Sequence, residues 1–219
     1  MTYQLYGEDG SGSGIVELAL VQIGAPYQLH HISLGAEQQR GSAYTKLNRQ
    51  RKLPTLVTPS GEVLTESAAI VLVLDERHPE AALFPAAGTP ERAQALRWLL
   101  FLAAELYPLV EIIDYPDRFA PESTLEAGTA PALREVARRI WRERWLHVER
   151  AISGTPWLLA SGRSWTDVYL AVLSRWAQGE KWRPARLPKV EAIASAISRD
   201  ERIGAVWRRH HERKSGVAP

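Results

Sequence analysis

The 219-residue sequence contains no cysteine. That excludes a disulfide, a cysteine-ligated zinc and a cysteine nucleophile, and it fits a reducing compartment. A large charge excess is also missing. Lysine and arginine number 27 against 25 aspartates and glutamates, a net +2, whereas a nucleic-acid binder shows a clustered basic surplus; no nucleic-acid partner is expected. No apolar run approaches the roughly 20 residues of a membrane span. Met1-Thr2-Tyr3-Gln4-Leu5-Tyr6 lacks the basic and apolar regions of a signal peptide, so the expectation is a cytoplasmic protein with no membrane partner. Histidines are few. The neighbours His30-His31 and His210-His211 lack the i, i+4 spacing of a zinc helix; they read as surface residues, and no metal site is expected. Repeats and low-complexity segments are absent too.

Hydrophobic residues make up 45 % of the chain and charged ones 24 %, enough of each for one or two ordinary globular domains. Tyr3 to Tyr6 reads as a strand ended by Gly7, and the turn cluster Glu8-Asp9-Gly10-Ser11-Gly12-Ser13-Gly14 follows. The apolar stripe Ile15, Leu18, Ala19, Ile23 predicts a helix stopped by Gly24. Tyr27 to Leu34 is a second strand, which completes a βαβ unit. Residues 36–49 are polar and read as an irregular connector. Thr55–Thr58 and Glu62–Leu64 form a hairpin around Pro59-Ser60-Gly61, and Glu66–Arg77 reads as a helix.

The stretch from His78 to Pro90 holds three prolines and a glycine and marks a boundary. Beyond it the pattern is helical only. Glu91 to about Ile113 predicts a long helix kinked at Pro108, and Ala132–Ile152 a second, with Val136, Trp141, Trp145 and Val148 on one core face. Ser164-Trp165-Thr166-Asp167 is a capping box ahead of a helix from Val168 to Gln178, and two short helices follow over 188–198 and 200–210. The cationic run Trp207 to Lys214 reads as a solvated helix end that complements the helix dipole.

Two features carry chemistry. Pro54 cannot donate to a β-ladder and belongs at the start of a strand; an X-Pro bond is also where a cis linkage costs only about 0.5–1 kcal/mol. The backbone of Leu53 is then open to pair with an extended ligand. Ser67 follows Glu66 at a helix start, where unpaired N–H groups and the dipole attract a carboxylate. Together they suit a small peptide-like anion. The Gly-Ser-Gly-Ser-Gly turn lacks the lysine of a phosphate-binding loop and the spacing of G-x-G-x-x-G, and it does not sit in the many-stranded sheet that a nucleophile elbow needs.

On Lys52-Leu53-Pro54-Thr55-Leu56, Leu64-Thr65-Glu66-Ser67-Ala68-Ala69-Ile70 and Ser164-Trp165-Thr166-Asp167-Val168-Tyr169-Leu170, in this order and spacing, the whole chain resembles the cytosolic glutathione transferases. The likeness is to a bacterial, serine-type or atypical class. It implies an α/β thioredoxin-like N-terminal domain (βαβ–ββα) over residues 1–79, a linker over 80–90 and an all-α C-terminal helical domain over 91–219. It also implies glutathione as co-substrate. Leu53, before Pro54, would pair with the cysteinyl backbone, Glu66 and Ser67 would hold the γ-glutamyl group, and Lys52 the glycyl carboxylate. The thiol would face Ser11, Gly12 and Ser13 at the first helix start, where a hydroxyl and the dipole stabilise a thiolate.

Gly12 stands where cysteine-type members carry their reactive residue, so disulfide exchange by a protein thiol is excluded. Ser11, then Ser13, are the expected thiolate stabilisers, with Tyr6 near the position used by tyrosine-type members. Tyr107, Tyr115, Phe119 and Trp207 are the expected lining for a hydrophobic electrophile. The implied activity is glutathione transfer in detoxification by a homodimer, the N-terminal domain of one subunit against the helical domain of the other. A glutathione-dependent lyase, isomerase or dehalogenase, or a non-catalytic scaffold working through partners, are the alternatives.

Overall fold

In a computed structural model, residues 2–122, 128–176 and 182–212 are described. The chain divides into two compact units, residues 1–84 with 196–219, and residues 85–195.

The first unit is built on a four-stranded sheet in the order β2-β1-β3-β4, with β1 at Tyr3–Gly7, β2 at Tyr27–His31, β3 at Thr55–Val57 and β4 at Val63–Leu64. β1 runs parallel to β2, which requires the crossover helix α1 (Ser13–Ile23), and antiparallel to β3. β3 and β4 are antiparallel, joined by a tight turn in which the Gly61 N–H donates to the Thr58 carbonyl at 2.9 Å. β1 alternates as a strand with unlike faces should: Tyr3, Leu5 and Gly7 are buried and Gln4 and Tyr6 half-buried. Leu5 and Leu56 meet a core of Ile15, Leu18, Ile70 and Leu74 from α1 and α3 (Ser67–Arg77). The sheet-and-helix order matches the thioredoxin-like domain expected from the sequence.

The connector over 36–49 is not irregular. It contains a 3-10 turn at Gln38–Arg40 and the helix α2 at Ser42–Leu47. Its periodicity is weak because one side chain anchors it. Tyr44 is buried, and its hydroxyl lies 2.7 Å from both the Lys52 carbonyl and Thr55 Oγ1.

The second unit is helical. The single long helix expected over 91–113 is instead α4 (Pro90–Phe101), a π-helical turn at Leu102–Leu106, and α5 (Tyr107–Asp114). Pro108 has no N–H to give the turn before it, so the irregularity falls one turn earlier than the proline. Arg144 uses the exposed carbonyl of Glu105 as an acceptor. α6 (Thr129–Ala151) buries Trp141 and Trp145, whose rings meet edge-on at 5.9 Å, whereas Val136 turns to solvent. The capping box opens α7 (Trp165–Ser174), three residues earlier than expected; the expected end at Gln178 lies outside the described residues. α8 (Trp182–Arg186) and α9 (Pro188–Ser198) follow, and α9 carries the chain back into the first unit, which ends in α10 (Gly204–His211).

Candidate functional site

The strand register places the sequence-predicted binding residues at one end of the sheet. Tyr6, next to last in β1, pairs with Thr55, first in β3, and Leu56 pairs with Leu64, last in β4. The exits of β1 and β4 and the entry of β3 therefore share an edge. Out of that edge come the 8–12 turn, the Leu53–Pro54 dipeptide and the Glu66–Ser67 start of α3.

The Leu53–Pro54 bond is cis. Pro54 is buried and Leu53 half-buried, and neither the N–H nor the C=O of Leu53 has a hydrogen-bond partner among the described residues. The preceding carbonyl is tied down: Lys52 C=O accepts from the Tyr44 hydroxyl at 2.7 Å and from Asn48 Nδ2 at 2.9 Å. Lys52 itself is exposed. An open edge residue between two fixed neighbours is what β-augmentation by an extended peptide uses.

Glu66 sits at φ 64°, ψ 103°. This left-handed backbone costs a non-glycine residue on the order of 1–3 kcal/mol and marks a place where the surroundings dictate the chain. Its side chain is exposed, while Ser67 is buried at the first position of α3. The first-turn N–H groups of an 11-residue helix there favour an anion.

The β1–α1 turn brings both candidate serines together. Ser11 Oγ and Ser13 Oγ are 2.8 Å apart. The Ser11 hydroxyl donates to the Glu8 carbonyl at 2.7 Å and accepts from the Ser13 N–H at 3.2 Å. Ser13 is fully buried; its Oγ accepts from the Glu8 N–H at 3.1 Å and lies 3.0 Å from the Glu8 carbonyl. Gly7 permits this closure, since a Cβ there would stand 2.3 Å from Ser13 Cβ and Oγ. Ser13 thus locks the turn together with Ser11, which is half-buried. Gly12 caps α1 between them. Tyr6 stacks on His30 at 4.5 Å and lies 6.1 Å from the ring of Tyr44, and its hydroxyl makes no hydrogen bond among the described residues.

Of the residues expected to line a second pocket, three belong to the helical unit. Tyr107 packs on Trp176 at 4.9 Å, Phe119 is exposed, and Tyr115 carries the Arg118 guanidinium 3.9 Å over its ring. Tyr115 borders an open cleft with Ile113, Asp114, Arg134 and Arg138. Burial pushes the Asp114 carboxyl up, against the pull of Arg134. Trp207 belongs to the other unit and is 3 % exposed, with His211 4.4 Å from its ring.

Residues 5–82 match the family model "Glutathione S-transferase, N-terminal domain". An uncharacterised GST-like protein of Escherichia coli K12, YncG, is 29 % identical over 209 residues, 94 % of this chain and 98 % of that one. Over nearly its whole length the chain is similar to glutathione transferases. A sphingomonad glutathione S-transferase solved in complex with glutathione superimposes with a TM-score of 0.76 at 26 % identity, covering 96 % of this chain and 100 % of that one. A maleylacetoacetate isomerase of Dictyostelium discoideum is 35 % identical over 94 residues, 43 % of this chain and 42 % of that one. No helix among the described residues is long and apolar enough to cross a membrane.

One group of residues escaped sequence reasoning. The His210 side chain, expected at the surface, is 1 % exposed and its Nε2 lies 2.8 Å from Glu17 Oε2. Arg209, expected in a solvated helix end, pairs with both Glu17 and Asp9. Asp9, Glu17 and His210 converge closely enough to hold a cation; the cation among them is the Arg209 guanidinium. A signal was present. Glu17 is the only acid in the apolar run from Ile15 to Ile23, and a carboxylate buried there requires a partner.

Proposed function

We propose that the protein binds glutathione and activates it as a thiolate for attack on a hydrophobic electrophile. The observation that carries this is the convergence at one sheet edge of an unpaired Leu53 backbone, a helix start at Ser67 and a hydroxyl-bearing turn at Ser11. Leu53 N–H and C=O would pair with the cysteinyl residue, Pro54 fixing the strand entry behind it. Ser67 and the α3 N–H groups would take the γ-glutamyl carboxylate and Glu66 its ammonium. Lys52 is the proposed partner of the glycyl carboxylate. The glutathione-binding part is proposed within residues 1–79, ahead of the 80–90 linker.

For the chemical step, the Ser11 hydroxyl would turn from the Glu8 carbonyl to the sulfur. Ser13 Oγ, 3.0 Å from that carbonyl, satisfies the acceptor it leaves. Gly12 keeps the α1 start free of side chain, so the N–H groups and dipole add to the stabilisation. The sulfur lone pair attacks the electrophilic carbon, a carbon–sulfur bond forms, and the leaving group departs with its electron pair. Tyr6 is the reserve hydroxyl. Tyr107, Tyr115 and Phe119 are the residues proposed to meet the electrophile; Trp207, expected to line the same pocket, is 3 % exposed and has no surface to offer it. A cytoplasmic homodimer acting in detoxification belongs to the same proposal.

Two outcomes test it. Ser11→Ala is expected to lower kcat/KM for chloronitrobenzene by about 10²-fold, the scale of one lost donor to developing negative charge, with glutathione affinity unchanged by calorimetry. If turnover is unaffected, the role passes to Tyr6. Ser67→Ala is expected to weaken glutathione binding about 10- to 100-fold, the loss of one hydrogen bond to a charged group. No binding by the unaltered protein at millimolar glutathione would point to the scaffold. Binding without aryl transfer would favour the isomerase reading, which the 35 % identity to a maleylacetoacetate isomerase supports.

A further inference from the structure

Between α1 and α10 lies a set of ionisable groups, buried at Glu17 and His210 and exposed at Asp9 and Arg209, that the proposed chemistry does not use. The Glu17 carboxylate accepts at Oε2 from His210 Nε2 at 2.8 Å, and at Oε1 from the Tyr27 hydroxyl at 2.7 Å and from Arg209. The other ring nitrogen of His210, Nδ1, is 3.1 Å from the Gly10 backbone nitrogen. Gly10 N–H is a donor, so Nδ1 accepts and the ring proton sits on Nε2, aimed at Glu17. The second arm of Arg209 donates to Asp9 Oδ1. A Cβ on Gly14 would stand 3.0 Å from Nδ1, so the ring lies directly on the first turn of α1.

Both grips fall on one short stretch. Asp9 and Gly10 lie immediately before Ser11, at the tip of a turn whose base is closed by the Glu8–Ser11–Ser13 hydrogen bonds and which contains two glycines before α1 begins. Such a turn loses much backbone freedom when ordered. The serines close its base, and the grips on Asp9 and Gly10 fix its tip from outside.

We propose that Arg209 and His210 are positioning residues: they hold the 8–12 turn so that the Ser11 hydroxyl meets the glutathione sulfur. This rests on the assignment of Ser11 above. Glu17 acts one step further back, fixing the ring tautomer that keeps Nδ1 an acceptor. The last helix thereby becomes part of the thiol-activating apparatus without touching substrate.

Two substitutions at one position separate the contacts. In His210→Asn the side-chain oxygen falls near the place of Nδ1 and keeps an acceptor for Gly10. In His210→Gln the amide falls near Nε2 and keeps only the bond to Glu17. Amide hydrogen exchange of residues 8–13 is measured in the free proteins, together with the bound-thiol pKa from thiolate absorbance against pH. His210→Gln is expected to speed exchange about 10-fold and raise the bound-thiol pKa by about one unit, with glutathione affinity within about twofold. His210→Asn is expected to resemble the unaltered protein on both readouts, although both variants lose thermal stability alike. Should His210→Gln fail to fold, Asp9→Ala at the exposed end of the network gives the same change in smaller measure, about threefold in exchange. Identical behaviour of His210→Asn and His210→Gln, or unchanged exchange in His210→Gln, would overturn the positioning role. The exchange readout needs no glutathione, so a protein that fails to bind it sinks the function proposed above and leaves this one decided on its own data.

Discussion

Glu17→Ala is expected to lower the unfolding free energy by about 4 kcal/mol, within the range for breaking a buried charge network by removing one partner. The loss has a specific source. Glu17 is 2 % exposed and gathers three donors; without it, the buried His210 and half-buried Tyr27 donors lose their acceptor, and Arg209 keeps only Asp9. The same group sets an acid limit. Burial pushes the Glu17 carboxyl up, but hydrogen bonds from His210, Arg209 and Tyr27 outweigh it and hold the pKa at about 2, from an ordinary 4.5. Because the folded value is the lower one, the stabilisation is complete above pH 4.5 and drains away as pH falls from there towards 2, roughly 3 kcal/mol in all. Urea unfolding at pH 7, 4 and 3 should show the gap between the unaltered protein and Glu17→Gln closing with acid. A gap that stays constant would mean that Glu17 is not ionised in this network.

The second large effect is expected at Asp167. Its carboxylate, fully buried, accepts from the Leu158 N–H at 2.7 Å and the Ser164 N–H at 2.8 Å, with the Ser164 hydroxyl at 3.3 Å. Burial pushes this carboxyl up, and those donors and Arg163 pull it back. Asp167→Ala removes the N3 half of the capping box of α7, all ten residues of which are buried, and leaves two buried N–H groups unpaired. At about 1–3 kcal/mol for each of the two orphaned donors, the cost is about 4 kcal/mol. Little folded protein should then be recovered at 37 °C. Ser164→Ala removes only a hydroxyl and should cost about 1 kcal/mol. A Asp167→Ala variant with a urea midpoint close to that of Ser164→Ala would show that the loop over 158–164 rearranges to satisfy its own N–H groups.

What could be read from the sequence is what the chain encodes locally. The strands, the Gly24 and Gly61 turns and the Ser164–Asp167 box each depend on neighbours within a few residues, and each stands close to where its pattern put it, although β2 ends at His31 and not at Leu34. That Ser11 would share an edge with Leu53 and Ser67 came from the family resemblance, because no local pattern relates residues 11, 53 and 67. α2 was not legible, because its helix is held by the Tyr44 hydroxyl and not by an apolar stripe. The π-helical turn was displaced from its proline, since the missing N–H of Pro108 is felt by the carbonyls before it. The Glu17–His210 pair was invisible for the plainest reason: 193 residues separate the partners, and a histidine pair at a helix end looks like solvent-facing charge until its neighbour in space is known.

The return of α9 into the first unit has a consequence for how this protein comes into being. The crossover helix of the sheet receives two of the three donors on its buried acid from residues 209 and 210. A nascent chain that has already completed all four strands therefore still carries an unsealed carboxylate in its core. The unit that is first in sequence cannot be the first to finish; it closes only after residue 210 has been made, with the whole helical unit synthesised in between.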